Sequence, residues 1–477
     1  MNETKRAVAK RAPAKLTARG VALAALMHGG FAAEDLDREL RAASLGPTDR
    51  GFATELAYGT LKMRRALIWS VSRHLSRPFE SLDERLKWVI LLGAYQLLYL
   101  DRVPAHSAVD EAVTLARAGG HPGIAGFANA VLRKVAADKA RPPVPTPADG
   151  AVALGIYASL PDWIAAQLIA RFGFDDALRA ADGMNGAPRR AFRIDGSPVE
   201  RERLMEVVVG AVDLHGRPPR PSQANDTSRS SPDGLNENRY QIPECLVVVG
   251  AANETLREAI ASGRVVRQSE ESQLAVHLLD PKPGEVVLDA CCGRGVKTSM
   301  IASRLAGEGT VWALDDDEQK LSALRDTVQR KEWKNVRVLR ADARETYPTE
   351  VPTQVDAALV DAPCSGLGVL GRRPDARWRK REHDPARFAR VQAAILRTAA
   401  QRVRPGGRLQ YVTCTTPAEE DEAIVDAFLG ENAEWSAADL PLTASSGVRK
   451  IGKYALTVPG IDGADGFFYA LLHNSKM

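Results

Sequence analysis

Two cysteines in this 477-residue chain stand where a thiol could do chemistry. Val360-Asp361-Ala362-Pro363-Cys364-Ser365-Gly366 follows a β-branched strand pattern, and Gln410-Tyr411-Val412-Thr413-Cys414-Thr415 ends another. A cysteine in a folded chain is most often a small core hydrophobe. These two lie just past predicted strands, beside Pro and Thr, where packing alone gives little reason for a thiol. A thiolate is a potent nucleophile near neutral pH, and a nearby acid such as Asp361 can stabilise charge that develops on whatever it attacks. One reaction that needs this set is alkylation at carbon 5 of cytosine. That carbon is a poor nucleophile until a thiolate adds to carbon 6 and makes it electron-rich. An acid at ring nitrogen 3 and a base for the carbon 5 proton complete the requirement.

A donor of the alkyl group would need a site on the same sheet edge. Val287-Leu288-Asp289-Ala290-Cys291-Cys292-Gly293-Arg294-Gly295-Val296-Lys297-Thr298 reads as a strand, a glycine turn and a helix. Such a turn lets backbone N–H groups and the positive end of a helix approach a ligand, although many α/β proteins carry a similar one. Gly-x-x-x-x-Gly-Lys-Thr is absent, which argues against a nucleoside-triphosphate loop. Asp315 closes the next strand, where an acid can hold ribose hydroxyls, and Asp342 follows the third, where a carboxylate can accept from an adenine amine. Together these favour an adenosyl ligand over an incidental row of acids. The five cysteines (Cys245, Cys291, Cys292, Cys364, Cys414) contain no C-x-x-C pair, so they read as reduced thiols and predict neither a disulfide framework nor a metal site.

The elements that must position these residues divide the chain. Residues 1–17 are a basic tail, and apolar spacings of three and four predict helices throughout 18–137, as in Leu86-Val89-Ile90-Gly93-Leu97. Pro142, Pro143, Pro145 and Pro147 mark a linker over 138–150. A small α/β connecting domain is expected over 151–261, with a second helical stretch from Ser159 to about Gly183 and a polar loop insertion at 216–243. From 262 to 477 short strands (Val286–Leu288, Val311–Leu314, Val336–Leu339, Ala357–Val360, Arg408–Val412, Phe467–Leu472) alternate with helical patterns such as Glu318–Arg330 and Ala386–Val403. That rhythm predicts a Rossmann-like, mainly parallel sheet with ligands at the carboxyl ends of its strands.

Charge is uneven. Residues 1–140 hold 21 Lys/Arg against 14 Asp/Glu, whereas the rest hold 43 against 46. A basic module on a near-neutral body suits a nucleic-acid partner, or simply a solvated surface. The longest apolar run, Trp88 to Leu100, is broken by Gln96 and falls short of the roughly 20 residues a membrane helix needs. No secretory signal pattern opens the chain, so a cytoplasmic protein without a membrane partner is expected.

At these motifs the chain resembles the RNA cytosine-5 methyltransferases of the Sun/RsmB type, which carry a NusB-like helical RNA-binding domain in front. The Asp361-Ala362-Pro363-Cys364-Ser365-Gly366 string is the most specific piece, with Pro374-Asp375 and Trp378 behind it. Thr413-Cys414 with Glu420-Asp421-Glu422, and Asp465-Gly466-Phe467-Phe468, extend the match. So do Gln268 to Gln273, Glu55-Leu56-Ala57-Tyr58-Gly59, Gly93-Ala94-Tyr95-Gln96 and Asn129-Ala130-Val131-Leu132-Arg133. The resemblance implies S-adenosylmethionine as cofactor and ribosomal RNA, of the small subunit, as substrate for a monomeric enzyme. It makes Cys414 the nucleophile, Cys364 the residue that assists release, and Asp361 a contact of the cytosine ring. Lys297 would bridge the donor site to Asp361, the turn Cys291, Cys292, Gly293, Arg294, Gly295, Val296 and Lys297 would hold the methionine end, and Asp315 and Asp342 the adenosine.

The chain departs from the family pattern in the turn, where Arg294 replaces a proline and Val296 a glycine, and at Asp421, where Asn is usual. A non-catalytic RNA-binding or assembly protein on a decayed methyltransferase scaffold is the alternative that such departures permit. A DNA cytosine methyltransferase is a further one, but it would leave Cys414 without a role.

Overall fold

In the computed structural model the described residues are 17–29, 32–118, 122–187, 189–196, 201, 203, 204, 240–248, 254–442 and 447–475. They form two compact units: one runs to Ala170 and includes Arg373–Arg379, and the other comprises Arg171–Arg372 and Lys380 onward. The division falls within the helix Asp162–Phe172, inside the stretch expected as a connecting domain. The basic tail up to residue 16 and the expected loop at 216–239 lie outside the described residues, whereas Tyr240 and Ile242 are buried.

In the first unit, apolar residues three and four apart build the helices Ala18–His28, Ala32–Ala42, Pro47–Lys62, Arg64–Ser72, Glu84–Tyr99, Ala105–Arg117 and Pro122–Asp138. Thr17 caps the first by accepting from the Gly20 N–H, and Asp83 caps Glu84–Tyr99 through the Leu86 N–H. Glu84–Tyr99 buries almost every side chain and forms the middle of this core. Two sequence motifs meet there: Tyr95 donates to Glu55 at 2.5 Å, and a Cβ on Gly59 would sit 2.0 Å from the Tyr95 ring. Residues 139–146 have neither helix nor strand, as four closely spaced prolines require, and the short helix Gly150–Tyr157 follows. Within the same unit, the buried Arg377 guanidinium donates to the carbonyls of Lys62 and Ser159, and Trp378 Nε1 donates to Leu61 O at 2.8 Å.

The second unit holds two sheets. Strands β1 (Arg190–Ile194), β2 (Cys245–Val248) and β3 (Val265–Arg267) form a small antiparallel sheet in the order β2-β1-β3. The large sheet is built from β4 (Val286–Asp289), β5 (Thr310–Asp315), β6 (Val336–Arg340), β7 (Val355–Asp361), β8 (Val403–Thr413), β9 (Trp435–Ala437), β10 (Arg449–Ile451), β11 (Tyr454–Thr457) and β12 (Phe467–Asn474). Its order is β10-β11-β12-β8-β7-β4-β5-β6, with β9 beside β12. Strands β6 to β8 run parallel through β5, β4 and β7, and β12 is antiparallel to β8.

Helices cover both faces, so Val287, Leu288, Leu314, Leu359, Val360 and Leu409 are fully buried, which is why these strands read as unbroken apolar runs rather than alternations. The helices Glu318–Arg330 and Asp384–Ala400 match their expected places. The stretch expected from Ser159 to Gly183 is two helices, broken at Gly173 (φ 78°). The order in which strands are added reverses between β4 and β7, the place where an open α/β sheet binds its ligand.

Candidate active site

Four parallel strands end in a polar side chain: Asp289 on β4, Asp315 on β5, Asp361 on β7 and Thr413 on β8. The sheet register sets Asp361 opposite Val412, so the segments carrying Cys364 and Cys414 leave adjacent strands at the same edge. Their sulfur atoms come within 3.3 Å of each other. The hydrogen bond with Cys414, and then burial, push the Cys364 thiol well above its ordinary value. The two thiols are in hydrogen-bond contact, so a proton can pass from one sulfur to the other. Cys414 also packs against the apolar core beneath it, so the site is a partly buried thiol pair rather than an exposed one.

The loops beyond the two strands are braced by one another. Gly368 N–H donates to Cys414 O at 3.1 Å, and Gly466 N–H donates to Gly368 O at 2.8 Å. A Cβ on Gly368 would lie 1.9 Å from Gly466 O, so the two backbones touch. Buried Glu420 accepts from the Ser365 N–H at 2.8 Å and from the Ser365 hydroxyl, and Gln392 links it to Pro363 O. Beside it, fully buried Asp421 accepts from the Thr413 hydroxyl at 2.6 Å. Burial pushes the Asp421 carboxyl well up, and a protonated carboxyl offers one acceptor and one donor, as the usual amide does.

On the donor side, Gly293 N–H donates to Asp315 Oδ2 at 2.9 Å, and Lys320 and the Asp317 N–H engage Asp315 Oδ1. Gly295 opens the helix Val296–Arg304 in the left-handed region (φ 81°), and a Cβ there would stand 2.2 Å from Leu324. Only glycine satisfies both constraints. Over Gly293 the space is open, and Arg294 and Val296 face solvent. Cys291 and Cys292 pack under the turn, and burial raises both thiols. Lys297 on the helix reaches Asp361 Oδ2 at 2.6 Å, with its ammonium 5.8 Å from the Phe467 ring centroid. Asp342 follows β6 but is held by Arg344, whose Nε is 2.9 Å from Oδ1. That hydrogen bond, before any other cause, lowers the Asp342 carboxyl.

Sequence reading passed over two residues. Asp289 is fully buried; its Oδ2 accepts from the Thr298 hydroxyl at 2.6 Å, while Oδ1 makes no hydrogen bond of ordinary geometry among the described residues. Burial pushes this carboxyl up to about 7. The strand-end rule that singled out Asp315 also covers Asp289. Arg193 had no such signal. Fully buried in β1, it donates to Gln268 Oε1 (2.5 Å), Val296 O (2.8 Å) and Ser299 Oγ (2.7 Å), and so clamps the start of the helix after the turn.

Comparison with known proteins agrees with this geometry. The profile of the 16S rRNA methyltransferase RsmB/F family matches residues 276–473, and that of the NusB family matches 4–137. The probable ribosomal RNA small subunit methyltransferase B of Bacillus subtilis (strain 168) is 30% identical over 467 residues, covering 95% of this chain and 98% of that protein. The chain belongs to the RsmB/F methyltransferase family. A Salmonella arizonae member, a ribosomal RNA small subunit methyltransferase B, is 30% identical over 89% of this chain and 90% of its own. The crystal structure of PH0851 shares the fold, with a TM-score of 0.73 at 23% identity over 95% of this chain and 98% of its own.

The family's cofactor is S-adenosylmethionine. The residues here fit it: a buried, unsatisfied carboxylate oxygen on Asp289 for a cationic group, open space over Gly293, and a strand-end carboxylate on Asp315. Among the described residues no group of three or more His, Cys, Asp or Glu could hold a metal ion, and no helix is long and apolar enough to cross a membrane.

Proposed function

We propose that this protein methylates carbon 5 of a cytosine in small-subunit ribosomal RNA, with Cys414 as the attacking thiol and Cys364 as the residue that frees the product. The observation that carries the reading is the Cys364–Cys414 pair at 3.3 Å, on the same sheet edge as the Lys297–Asp361 ion pair. Cys414 forms a bond to carbon 6, and the electrons displaced from the ring double bond accumulate toward carbon 5 and ring nitrogen 3. Asp361, held in place by Lys297, faces the ring and stabilises that charge by hydrogen bonding. Asp289, Asp315 and Asp342 hold S-adenosylmethionine, which supplies the methyl group as an electrophilic sulfonium. Release then requires transfer of the carbon 5 proton to a base, the part Cys364 would play as a thiolate. The electron pair left on carbon 5 re-forms the ring double bond, the carbon 6–sulfur bond breaks, and Cys414 leaves as thiolate. Cys364, in contact with that sulfur, is the group placed to serve this step.

The base must leave its stack to expose carbon 6, so an unpaired or loop cytosine is the expected target. The excess of Lys and Arg in the first 140 residues supports docking on RNA, and a ribosomal substrate implies work in the cytoplasm. The test is a map of 5-methylcytosine across small-subunit ribosomal RNA in cells with and without this protein. Loss of one site on deletion, restored by wild-type protein and not by Cys414→Ser, is expected. An unchanged map would overturn the reading.

A further inference from the structure

Glu420 lies off the substrate face and has no part in the chemistry above, yet its carboxylate touches both cysteine-bearing segments. It accepts the N–H and the hydroxyl of Ser365, which follows Cys364, and Thr415, which follows Cys414, stands 3.5 Å from Oε1. Ser365 Oγ and Thr415 Oγ1 are themselves 2.6 Å apart, and the Leu367 N–H points at Thr415 Oγ1 from 3.3 Å. On the far side Gln392 Nε2 donates to Glu420 Oε2 at 3.0 Å and to Pro363 O, the residue before Cys364, at 3.0 Å. Glu420, Ser365, Thr415 and Gln392 are each at most 0% exposed, so water does not substitute for any of these bonds.

Proton counting gives the chain one direction. The Leu367 N–H can only donate, so Thr415 Oγ1 accepts there; the Ser365 hydroxyl donates to the carboxylate, and the Thr415 hydroxyl is left to donate to Ser365 Oγ or, more distantly, to Glu420 Oε1. An ionised carboxylate ends such a chain because it accepts on every side. An amide of the same shape offers one acceptor and one donor end: an NH2 in place of Oε2 would meet the Ser365 and Gln392 N–H groups, and one in place of Oε1 would force the Ser365 hydroxyl to reverse and accept.

We propose that Glu420 is a positioning residue that sets the contact between the Cys364 and Cys414 sulfurs, by fixing the residues on either side of Cys364 and the residue after Cys414 through one acceptor. The proposal rests on the reading of this pair as the reacting thiols. It assigns a cause to the 3.3 Å contact: the two loops belong to different strands and share no disulfide, and the buried carboxylate joins them beside the Gly368–Cys414 and Leu367–Thr415 hydrogen bonds.

The test reads thiol coupling and needs no RNA. In the full-length protein, the rate of Cys414 alkylation by iodoacetamide is followed against pH, with the modified cysteine identified by mass spectrometry. Wild type, Cys364→Ala, Glu420→Gln and the double variant form a cycle. Cys364→Ala alone should shift the midpoint of the profile, because it removes the thiol that touches Cys414. In the Glu420→Gln background the same change should have no further effect. Ser365→Ala, which cuts the hydroxyl chain but keeps the carboxylate, should shift the midpoint in the same direction by a smaller amount, and it serves in place of Glu420→Gln should that variant unfold. A misplacement of this kind is also expected to lower kcat by about a hundredfold with KM for RNA little changed. Additive shifts from Cys364 and Glu420, or an unmoved profile in both Glu420→Gln and Ser365→Ala, would overturn the proposal. Absence of 5-methylcytosine would overturn the assigned reaction and leave the alkylation cycle interpretable.

Discussion

Lys297 and Asp361 form an ion pair 2.6 Å long that joins the helix after the glycine turn to the end of β7. The pair links the glycine turn and its helix to the strand that leads into Cys364. Lys297→Gln should lower kcat by about 10²–10³-fold, the range of a lost acid–base or charge-orienting group, while RNA affinity stays near wild type. Methyl incorporation under saturating RNA measures it. An unchanged kcat would separate the ion pair from the chemistry.

The two cysteines should fail differently. Cys414→Ser should abolish methyl transfer, because a hydroxyl is far less nucleophilic than a thiolate near neutral pH. Cys364→Ala should still form the adduct and stall, leaving RNA as a slow band on a denaturing gel. Trapping by Cys414→Ala instead would reverse the assignment.

Asp289 should make cofactor binding depend on pH. Its folded-state value of about 7, against an ordinary 3.8, arises first from burial and is tempered by the Thr298 hydroxyl. Below pH 7 the carboxyl holds a proton that a cationic ligand group must displace. Affinity for S-adenosylmethionine should therefore fall by up to about tenfold per pH unit below 7, and level off above it. The sign for the unliganded fold is the opposite: the unfolded state binds fewer protons between about 4 and 7, so that contribution to stability is lost as pH rises through this window. Calorimetric titration from pH 5.5 to 8.5 tests the first statement. A profile as steep in Asp289→Asn as in wild type would assign the proton elsewhere.

Asp315→Ala should weaken S-adenosylmethionine by about 1–3 kcal/mol, since ribose hydroxyls would lose a charged acceptor. The change also frees the Gly293 N–H and Lys320, so it loosens the turn as well as the ribose contact. Equal affinities by calorimetry would move the adenosine end away from β5.

Much of this site was legible because it is local. Strand-end acids, a glycine turn and two cysteines past strands are short-range patterns, and the parallel sheet forced them onto one edge. What the sequence did not disclose depends on contacts across long separations. Arg193 meets Val296 and Ser299 from 103 and 106 residues away, and no spacing rule connects them. Glu420 is 55 residues from Ser365, and it was visible only as part of a matching string. The connecting domain was expected to be α/β, but the strands of its sheet β2-β1-β3 could not be located, because they are three to five residues long and separated by a long polar stretch. Asp421 looked like a departure, whereas it is fully buried and burial pushes its carboxyl well up, toward the neutral form that most resembles an amide.

The contact between Gly368 and Gly466 has a consequence for how this chain tolerates change. A Cβ on Gly466 would lie 2.9 Å from Gly368 Cα and 2.9 Å from Thr416 Cγ2, and the reciprocal one on Gly368 would strike the Gly466 carbonyl. Neither position can be rescued by shrinking a neighbour, because what each would strike includes main chain. In a saturation mutagenesis experiment the two sites should be intolerant individually, with no paired substitution that restores either. The route from β7 past Cys364 and the route into β12 are thus pinned where they cross by backbone crowding, independently of the side chains that carry the chemistry.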